Sequence, residues 1–440
     1  MNRRSITLGA IVMMAVVAPL CAQSSAEVNA GIQYNFSSPG AHSLARAGAF
    51  IADASDATAA YTNPAGLVNV AAREFSFEVR ASGFQNSYSD RGHAFGPPSN
   101  VGNDTISGIQ TARSSNRVVN ISFASMVLPI DRYFGDRRVT IAAYRHELAN
   151  FAASQSTNGA FFDFDGQKGY RLYPAISSLR LRIAGEGVSF GLRATDRISL
   201  GLGVRQYQSS LKSVTRRFLT KGPTGDPDYS APHSVQTQRG DSHTLGMNAG
   251  VLFDVNERLS LGATLRRGFS FPIDVDYADY DGLVATPRPT QRGRFNVPSF
   301  YGLGASIRPT DDWSVAIDVN RITYSDTTRH FVYLFQEEPR YFVPDGTEIR
   351  LGSELTMTRD RFKWLPFPIY LAAGAWRDPD HSIRPADPDD SQAILFRKTA
   401  ADVHLTGGVG LLIGARAQFH AAFDRSSRQT VLSLSAMARF

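Results

Sequence analysis

A Gly-x-Ser-x-Gly pattern between Gly187 and Gly191 is the clearest place in this sequence where a side chain could act as a nucleophile. In hydrolases with this pattern, a sharp strand-to-helix turn exposes the serine, here Ser189, beside an oxyanion hole. That context is missing, because Ser189 lies inside a strand-like segment and no helical segment follows it. We therefore predict that no residue is catalytic, and we keep a hydrolase that uses Ser189 as an alternative.

Two further patterns resemble the beginnings of metal sites. His146-Glu147 opens the His-Glu-x-x-His zinc pattern, but Asn150 stands where the second histidine belongs. The stretch from Asp163 to Gly166 resembles the start of a calcium loop whose other ligands are missing from the sequence. The surroundings favour an ordinary strand pair and a solvated loop, so we expect no metal and no cofactor.

Composition narrows the class of protein that could hold these residues. The chain has 440 residues, of which 42% are hydrophobic, and its mean hydropathy is -0.20. After the first 25 positions it has no apolar stretch of the roughly 20 residues that a membrane helix needs. The net charge of +6 comes from interspersed basic and acidic residues, which gives nucleic-acid binding little support. No linker divides the chain, which favours one large sheet over several domains.

The first 26 residues predict a cleaved signal peptide. They contain a basic start at Arg3 and Arg4, an apolar segment from 6 to 17, and small residues at Ala22 and Ala26, after either of which cleavage would fit. The single cysteine, Cys21, lies inside this segment. The mature chain is therefore expected to have no disulfide, as suits an envelope protein held together by a closed, hydrogen-bonded sheet.

Strict alternation of apolar and polar residues is the main pattern in the rest of the chain. In the segment 430–440, Leu432, Leu434 and Phe440 fall on one face and Ser433 and Ser435 on the other. The same alternation recurs at 119–127, 198–205, 259–266, 313–320 and 403–411. The second face carries polar residues and glycine, which a soluble core would not accept. The pattern predicts an all-β, transmembrane antiparallel β-barrel with lipid on its apolar side.

Short polar connections alternate with long segments rich in Pro, Gly and Asp. Short turns are expected around 131–136, 195–196, 254–257, 309–312, 358–363 and 414–415, and long loops near 86–115, 153–178, 218–237, 276–292, 327–345 and 379–400. This layout is typical of a bacterial outer-membrane barrel, which has short periplasmic turns and longer external loops. The breaks separate about 14 strands, and this even number places both termini on the periplasmic side.

The segment 27–72 differs from the rest of the chain. It is rich in Ala, Gly and Ser and alternates poorly, and positions 41–60 favour short helical turns. It is too small to bury a core of its own. We therefore expect it to plug the lumen from the periplasmic side as a hatch, with residues 73–440 forming the transmembrane barrel.

Several stretches resemble the FadL/TodX-type outer-membrane transporters. Residues 43–57 followed by 61–67 resemble the N-terminal hatch of this family, and its Asn-Pro-Ala motif corresponds to Asn63, Pro64 and Ala65. The segments 297–304, 308–314, 318–321 and 348–354 resemble its strands. The resemblance implies a barrel of 14 strands closed by a hatch. It also implies passive uptake of long-chain fatty acids or aromatic hydrocarbons, without energy or a cofactor.

In this family the ligand is implied to leave sideways, through a gap in the wall beside a kinked third strand. That strand would lie near 138–151 here, and it contains neither Gly nor Pro, the usual residues at a kink. The sequence therefore does not locate the kink. The partners implied are hydrophobic small molecules and outer-membrane lipid such as lipopolysaccharide. The protein is expected to be a monomer that binds no nucleic acid.

Two arginines are candidate ligand-binding residues, because strand parity places Arg205 and Arg266 on the lumen side. A guanidinium there could hold a fatty-acid carboxylate through a two-pronged hydrogen bond. The ordinary alternative is an internal ion pair with Asp318 or Glu354, since buried charges are normally paired. Two other functions stay open at this point. One is a barrel hydrolase of lipase or esterase type, and the other is an adhesive or structural barrel whose long loops bind a partner.

Overall fold

Long antiparallel strands with one apolar face build the wall of this molecule. The computed structural model describes residues 32, 34–130, 138–164, 167–329, 341–358, 360–386, 394, 396, 400–414 and 416–440. The wall strands are β1 Glu74–Arg91, β2 Gln110–Pro129, β3 Val139–Thr157, β6 Ala175–Arg193, β7 Ile198–Thr220, β8 Pro227–Asp254, β9 Leu259–Arg266, β10 Phe269–Asp281, β12 Gln291–Val297, β13 Phe300–Thr310, β14 Trp313–Ile322, β16 Gly346–Met357, β17 Ile369–Asp378, β19 Asp402–Ile413, β20 Ala417–Arg425 and β21 Gln429–Arg439.

These strands form one closed barrel. Strands β9 and β10 are the lower and upper parts of a single wall strand, as are β13 and β12, so the described residues form a barrel of 14 strands. The barrel closes where β1 pairs with β21, from Glu74 opposite Arg439 to Phe84 opposite Gln429. This confirms the predicted fold. Closure removes free sheet edges, which is the condition for strands to lie in a bilayer.

The outer surface carries the apolar residues that the alternation predicts. Leu202, Leu245 and Leu434 are among the exposed large hydrophobic residues of the wall. Exposed aromatic residues, including Trp313 and Phe440, lie at the end of the barrel where the turns are short. Such an aromatic girdle marks the membrane interface of an outer-membrane barrel. The chain is therefore an outer-membrane β-barrel.

Four of the predicted long loops are largely strand. Strand β1 continues to Arg91 and β2 starts at Gln110, and the connection between β7 and β8 shrinks to 221–226. The connection after β3 holds a small hairpin, β4 Phe161–Phe164 and β5 Gln167–Arg171, and β11 Val284–Pro287 pairs with the end of β10. Above the bilayer both faces of a strand meet water, so the two-residue alternation fades while the ladder continues. Periodicity alone therefore mistakes these hairpins for loops.

The other predicted connections are described only in part. The turns near 195–196, 254–257 and 309–312 lie where expected, between consecutive wall strands. The predicted turn at 131–136 lies outside the described residues, as do Ala415, Asp165, Gly166 and parts of the long segments 327–345 and 379–400. A small ladder of β15 Tyr341–Phe342 with β18 Arg384–Pro385 joins two of the external segments.

The N-terminal segment from residue 34 to residue 72 packs inside the lumen. It contains two short helices, Ala41–Ala45 and Ala59–Thr62, and a 3-10 helix, Pro64–Asn69. Most of these residues are buried, including Phe50 and Leu67. Among the described residues, no helix is both long and apolar enough to cross a membrane.

Candidate functional site

The upper lumen is lined by a large apolar cluster, which lies above the hatch and below the external hairpins. Its members are buried side chains that point inward from the wall, and they include Phe84, Leu148, Phe151, Leu181, Ile183, Tyr207, Leu211, Phe271, Ile273, Phe295 and Phe300. The lower lumen is instead lined by polar residues and glycine. The barrel therefore holds an apolar compartment over a polar, hatch-filled one.

The chain upstream of the hatch runs through this apolar compartment. Ile32 and Phe36 belong to the cluster, and the rings of Phe36 and Phe300 lie 6.0 Å apart. The backbone N–H of Asn35 donates to the carbonyl of Leu148 on β3 at 2.7 Å. The cavity that remains beside this segment is about 80 Å³. That is smaller than the roughly 150 Å³ of a cavity known to accept benzene. The N-terminal segment thus fills most of the apolar compartment.

The wall is interrupted between β2 and β3. Their pairing runs from Pro129 opposite Thr140 to Phe123 opposite His146 and stops there. Above this point β2 pairs only with β1, up to Gln110, and β3 pairs only with β6, up to Thr157. Two strand edges therefore face each other without a ladder at the level of the apolar compartment.

Two β-bulges coincide with the start of this interruption. The pairing of β3 with β6 shifts between Glu147 and Ala149, which leaves Leu148 as an extra residue. The pairing of β2 with β1 shifts between Glu78 and Val79, which leaves Ser122 extra at the same level. A bulge bends its strand and increases the local twist. The sequence analysis looked for Gly or Pro, but two bulges bend these strands. The break in alternation at Glu147-Leu148 was the available signal.

Side chains replace the missing ladder across the interruption. The guanidinium of Arg145 donates to the carbonyl of Ile121 at 3.1 Å, which satisfies one backbone group at the open edge. Asn120 on β2 donates to the carboxylate of Glu147, which is only 3% exposed. Asn150 donates to the same carboxylate at 3.0 Å. A few side-chain hydrogen bonds therefore hold the two edges together where backbone pairing ends.

Arg205 and Arg266 lie buried in the lumen, as strand parity predicted, and they are 2% and 5% exposed. Tyr61 of the hatch lies between them, with its ring centre 5.0 Å from the guanidinium carbon of Arg205 and 4.6 Å from that of Arg266. The guanidinium of Arg266 also lies 3.6 Å from the ring centre of Phe300, in the apolar cluster. The two cations thus form the floor of the apolar compartment.

The ion pairs considered for these arginines are not formed. The carboxylate of Asp318 accepts hydrogen bonds from the hatch backbone at Phe50 and Ile51, and Glu354 pairs with His42. All three guanidinium nitrogens of Arg205 have no hydrogen-bond partner within the described residues. The same holds for the Nε and Nη1 atoms of Arg266. Two buried cations with unused donors form a site suited to an anion, because buried charges are costly when unpaired.

The Asn-Pro-Ala motif joins the hatch to the wall. The side chain of Asn63 caps the 3-10 helix by accepting from the N–H of Ala65 at 3.2 Å. Its amide group donates to the carbonyls of Ile51 in the hatch and Val251 in β8, at 2.9 and 3.2 Å. These bonds tie the motif to both parts, so its geometry is that of an anchor and differs from the hinge considered in the sequence analysis.

Inward glycines on many strands form a cradle for the hatch. A Cβ at Gly201 would lie 2.1 Å from the nitrogen of Ala65, and one at Gly250 would lie 1.9 Å from the Asn63 oxygen. Further members of this glycine cradle contact the hatch in the same way: Gly191, Gly262, Gly302, Gly304, Gly352, Gly374 and Gly408. Sequence analysis noted glycines on the inner face but not their role. Their recurrence at one level of successive strands was the signal.

The patterns that suggested chemistry serve structural roles. The hydroxyl of Ser189 is buried and donates to the carbonyl of Ala60 at 2.7 Å, and Ser189 lies within strand β6. The ring of His146 stacks on Tyr61 at 3.8 Å between centres. Among the described residues, no three His, Cys, Asp or Glu side chains are grouped as metal ligands would be.

His42 fastens the hatch to the wall through two carboxylates. Its Nε2 lies 2.6 Å from Glu354 and its Nδ1 lies 3.3 Å from Asp56. Burial alone would lower the pKa of His42, but these carboxylates outweigh burial and raise that pKa to about 10. A raised pKa in the folded state stabilises the fold fully below the unfolded value of about 6.5, and this contribution is lost as pH rises through the folded value.

Alkaline pH is therefore expected to loosen the hatch. Hydrogen exchange of hatch amides such as Leu44 and Phe50, corrected for intrinsic rates, should be at least about tenfold faster at pH 10.5 than at pH 6, because each pKa unit corresponds to about 1.4 kcal/mol. The His42→Gln variant should exchange fast at both values. An equal pH response in this variant would show that His42 does not carry the effect.

Solved structures with the same fold include several hydrocarbon channels. The chain aligns over 92% of its length with 99% of the toluene transporter TbuX of Ralstonia pickettii, at 16% identity and a TM-score of 0.58. It aligns over 92% with 99% of the toluene transporter TodX of P. putida, at 14% identity and a TM-score of 0.56. The monoaromatic hydrocarbon channel CymD gives 93% and 99% coverage, 14% identity and a TM-score of 0.54.

Sequence comparison alone finds no relative: no protein-family model and no curated protein matches the chain. At these identities the structural likeness establishes the fold. The resemblance seen in the hatch and strand segments is thereby confirmed at the level of architecture. The chain has the fold of the FadL/TodX-type outer-membrane channels, a barrel of 14 strands closed around an N-terminal hatch.

Proposed function

We propose that this protein is a passive outer-membrane channel for hydrophobic compounds, which leave sideways into the membrane through the interruption between β2 and β3. The apolar compartment carries this proposal, since it reaches from the external hairpins to Leu148 at the open edge. A polar, charged lipopolysaccharide layer resists the passage of apolar molecules. An apolar lumen lowers that barrier, whereas a water-filled pore would leave the ligand to be hydrated.

The closed compartment implies that the ligand replaces the N-terminal segment. Its cavity of about 80 Å³ is too small for a toluene-sized molecule, and Phe36 occupies the adjoining apolar surface. The ligand competes with Phe36 and with the hydrogen bond from Asn35 to Leu148. Since that bond spans the segment and the open edge of β3, displacement of the segment also frees the edge through which the ligand leaves.

Opening the interruption costs little. No backbone ladder has to break between the upper parts of β2 and β3, because only side chains such as Arg145 and Asn120 join them. Each neutral hydrogen bond is worth about 0.5–1.5 kcal/mol net, and bonds to charged groups about twice that. Thermal motion can therefore separate the edges while the rest of the wall remains paired.

The ligand class follows from the floor of the compartment. Arg205 and Arg266 offer unused donors next to the apolar ring of Phe300. An elongated apolar molecule with one carboxylate, such as a long-chain fatty acid, matches both features. The solved channels with this fold are described as carrying toluene or monoaromatic hydrocarbons, which have no such group. We therefore assign this chain a carboxylate-bearing hydrophobe.

The two arginines provide the test. Binding of oleate and of the neutral oleyl alcohol to purified protein would be compared for wild type and the Arg205→Gln/Arg266→Gln variant. Two charge-assisted bonds contribute roughly 3 kcal/mol together, so oleate binding should weaken about 100-fold. Binding of oleyl alcohol should change by less than about threefold, because its chain makes only apolar contacts.

The Arg216→Gln/Arg239→Gln variant is the matched control, since both residues are exposed on the same two strands, β7 and β8, or beside them. It should bind oleate as the wild type does. Equal loss of both ligands in the test variant would contradict the carboxylate assignment. A wild-type protein that binds neither these compounds nor toluene would contradict the channel proposal as a whole.

A further inference from the structure

A second interruption of the wall lies on the outer surface, between β8 and β10. Strand β8 pairs with β9 up to Asn248 and with β10 only from Arg239 onward. One backbone bond, from Arg267 to Met247 at 3.1 Å, lies between these two ladders. The chain changes its inward face at Gly268, so the wall strand is displaced there. The separation leaves an open groove of about 580 Å³ in the barrel wall.

The lower part of this groove is apolar. Leu245 and Met247 point outward from β8 and are 71% and 55% exposed. Phe269 forms the inner side, where its ring stacks on Tyr207 at 4.0 Å between centres. These side chains continue the lipid-facing band of β8, which also includes Val251 and Phe253. The groove therefore begins where acyl chains contact the wall.

The upper part of the groove is basic. Arg267, Arg294 and Arg329 line it, and all three side chains are exposed. Arg267 has no ion-pair partner within the described residues, and Arg294 donates only to the hydroxyl of Ser270, at 2.9 Å from its Nε. Arg329 pairs with Asp326, the one carboxylate in the lining, at 3.0 Å. The groove therefore carries a surplus of positive charge.

The position of the groove identifies which leaflet it meets. The short turns and both ends of the β1–β21 closure lie at the opposite end of the barrel, which is the periplasmic end in this architecture. Met247 and Arg267 mark the level at which the outward residues of β8 change from apolar to polar, since His243 and Asp241 follow. The groove thus crosses the outer edge of the bilayer, where the phosphates of outer-leaflet lipid lie.

We propose that this groove binds one lipopolysaccharide molecule, with a lipid A phosphate on Arg267 and Arg294 and an acyl chain on Leu245 and Met247. Arginine suits phosphate because its planar fork donates two parallel hydrogen bonds. The apolar lower part excludes free phosphate as the preferred occupant, because it would gain no contact there. The site is separate from the lumen and does not depend on which compound the channel carries.

Lipid binding to detergent-purified, delipidated protein tests the proposal. Native mass spectrometry would measure occupancy by lipid A, by dephosphorylated lipid A and by phosphatidylethanolamine. The Arg267→Gln/Arg294→Gln variant should bind lipid A about thirtyfold more weakly than wild type, which is the loss expected for two surface arginines. The wild type should also prefer lipid A to its dephosphorylated form by a similar factor.

The Arg73→Gln/Arg197→Gln variant serves as the control, because both arginines are exposed at the periplasmic end. It should bind lipid A like the wild type. Equal weakening in the control and test variants would overturn the proposal, since it would indicate a general charge effect. Equal binding of dephosphorylated lipid A would also overturn it, and so would full competition by millimolar inorganic phosphate, which would indicate an anion site without a lipid.

Discussion

Replacing Gly201 with leucine is expected to turn the closed barrel into an ion-conducting pore. A Cβ at this position would lie 2.1 Å from the Ala65 nitrogen and 2.2 Å from the Pro64 carbonyl carbon, which real contacts do not allow. Backbone atoms cannot move aside as a flexible side chain can. The Asn-Pro-Ala motif must therefore leave its seat, and the bonds of Asn63 to Ile51 and Val251 are lost with it.

Conductance in planar bilayers measures this effect. The wild type should give almost no steady current because the hatch fills the lower lumen. Single-channel conductance of Gly201→Leu should rise at least about tenfold above that background, since an unplugged barrel of this size leaves room for water. Gly250→Ala should have a smaller effect in the same direction, because its Cβ meets mainly the side chain of Asn63.

Gly83→Leu is the matched control for a strand glycine. Gly83 lies in β1 on the lipid side, and a Cβ there would meet only the Thr430 carbonyl oxygen, at 3.8 Å. This variant should stay closed. Heat-dependent mobility on a denaturing gel would verify that each barrel is folded. A folded Gly201→Leu barrel that carries no more current than Gly83→Leu would show that the glycine cradle does not hold the hatch.

Deleting Ser122 and Leu148 together is expected to seal the wall and stop uptake. Each is the extra residue of a bulge, and the two bulges lie on facing strands. Removing both keeps the inward and outward faces of β2 and β3 matched, so that the ladder can continue above Phe123 and His146. Removing only one would oppose inward residues to outward ones, because a single-residue slip exchanges the faces of a strand.

Transport and binding should separate in the double deletion. Uptake of radiolabelled oleate by cells should fall at least about tenfold, because exit then requires breaking a continuous ladder of backbone hydrogen bonds. Oleate binding to the purified protein should stay within about threefold of wild type, since Arg205 and Arg266 lie on other strands.

Two further variants keep this prediction testable. The Ser122→Ala/Leu148→Ala variant retains both bulges and should transport normally. Ala149→Trp would fill the opening with a bulky ring without changing the backbone, so it should also reduce uptake. Normal uptake by a folded double deletion and by Ala149→Trp would mean that the ligand leaves by another route. That result would leave the binding role of Arg205 and Arg266 unaffected.

The sequence by itself determined the class of fold. Alternation in segments such as 198–205 and 313–320 encodes one lipid-facing side, because side chains of a strand point alternately to opposite faces. The same parity placed Arg205 and Arg266 in the lumen. The poorly alternating segment 27–72 predicted the hatch, since a short Ala- and Gly-rich stretch cannot bury a core of its own. These are local properties, and neighbouring residues are enough to decide them.

Only the tertiary structure decided where the wall is open and what each inward residue contacts. Parity gives the face of a residue but not its partner on the next strand, so neither the interruption after Phe123 nor the matched bulges followed from it. Asp318 and Glu354 were plausible partners for the arginines until the hatch backbone and His42 were found to occupy them. Pairing across a barrel joins residues far apart in the chain. It depends on the shape of the whole closed sheet and of the hatch inside it.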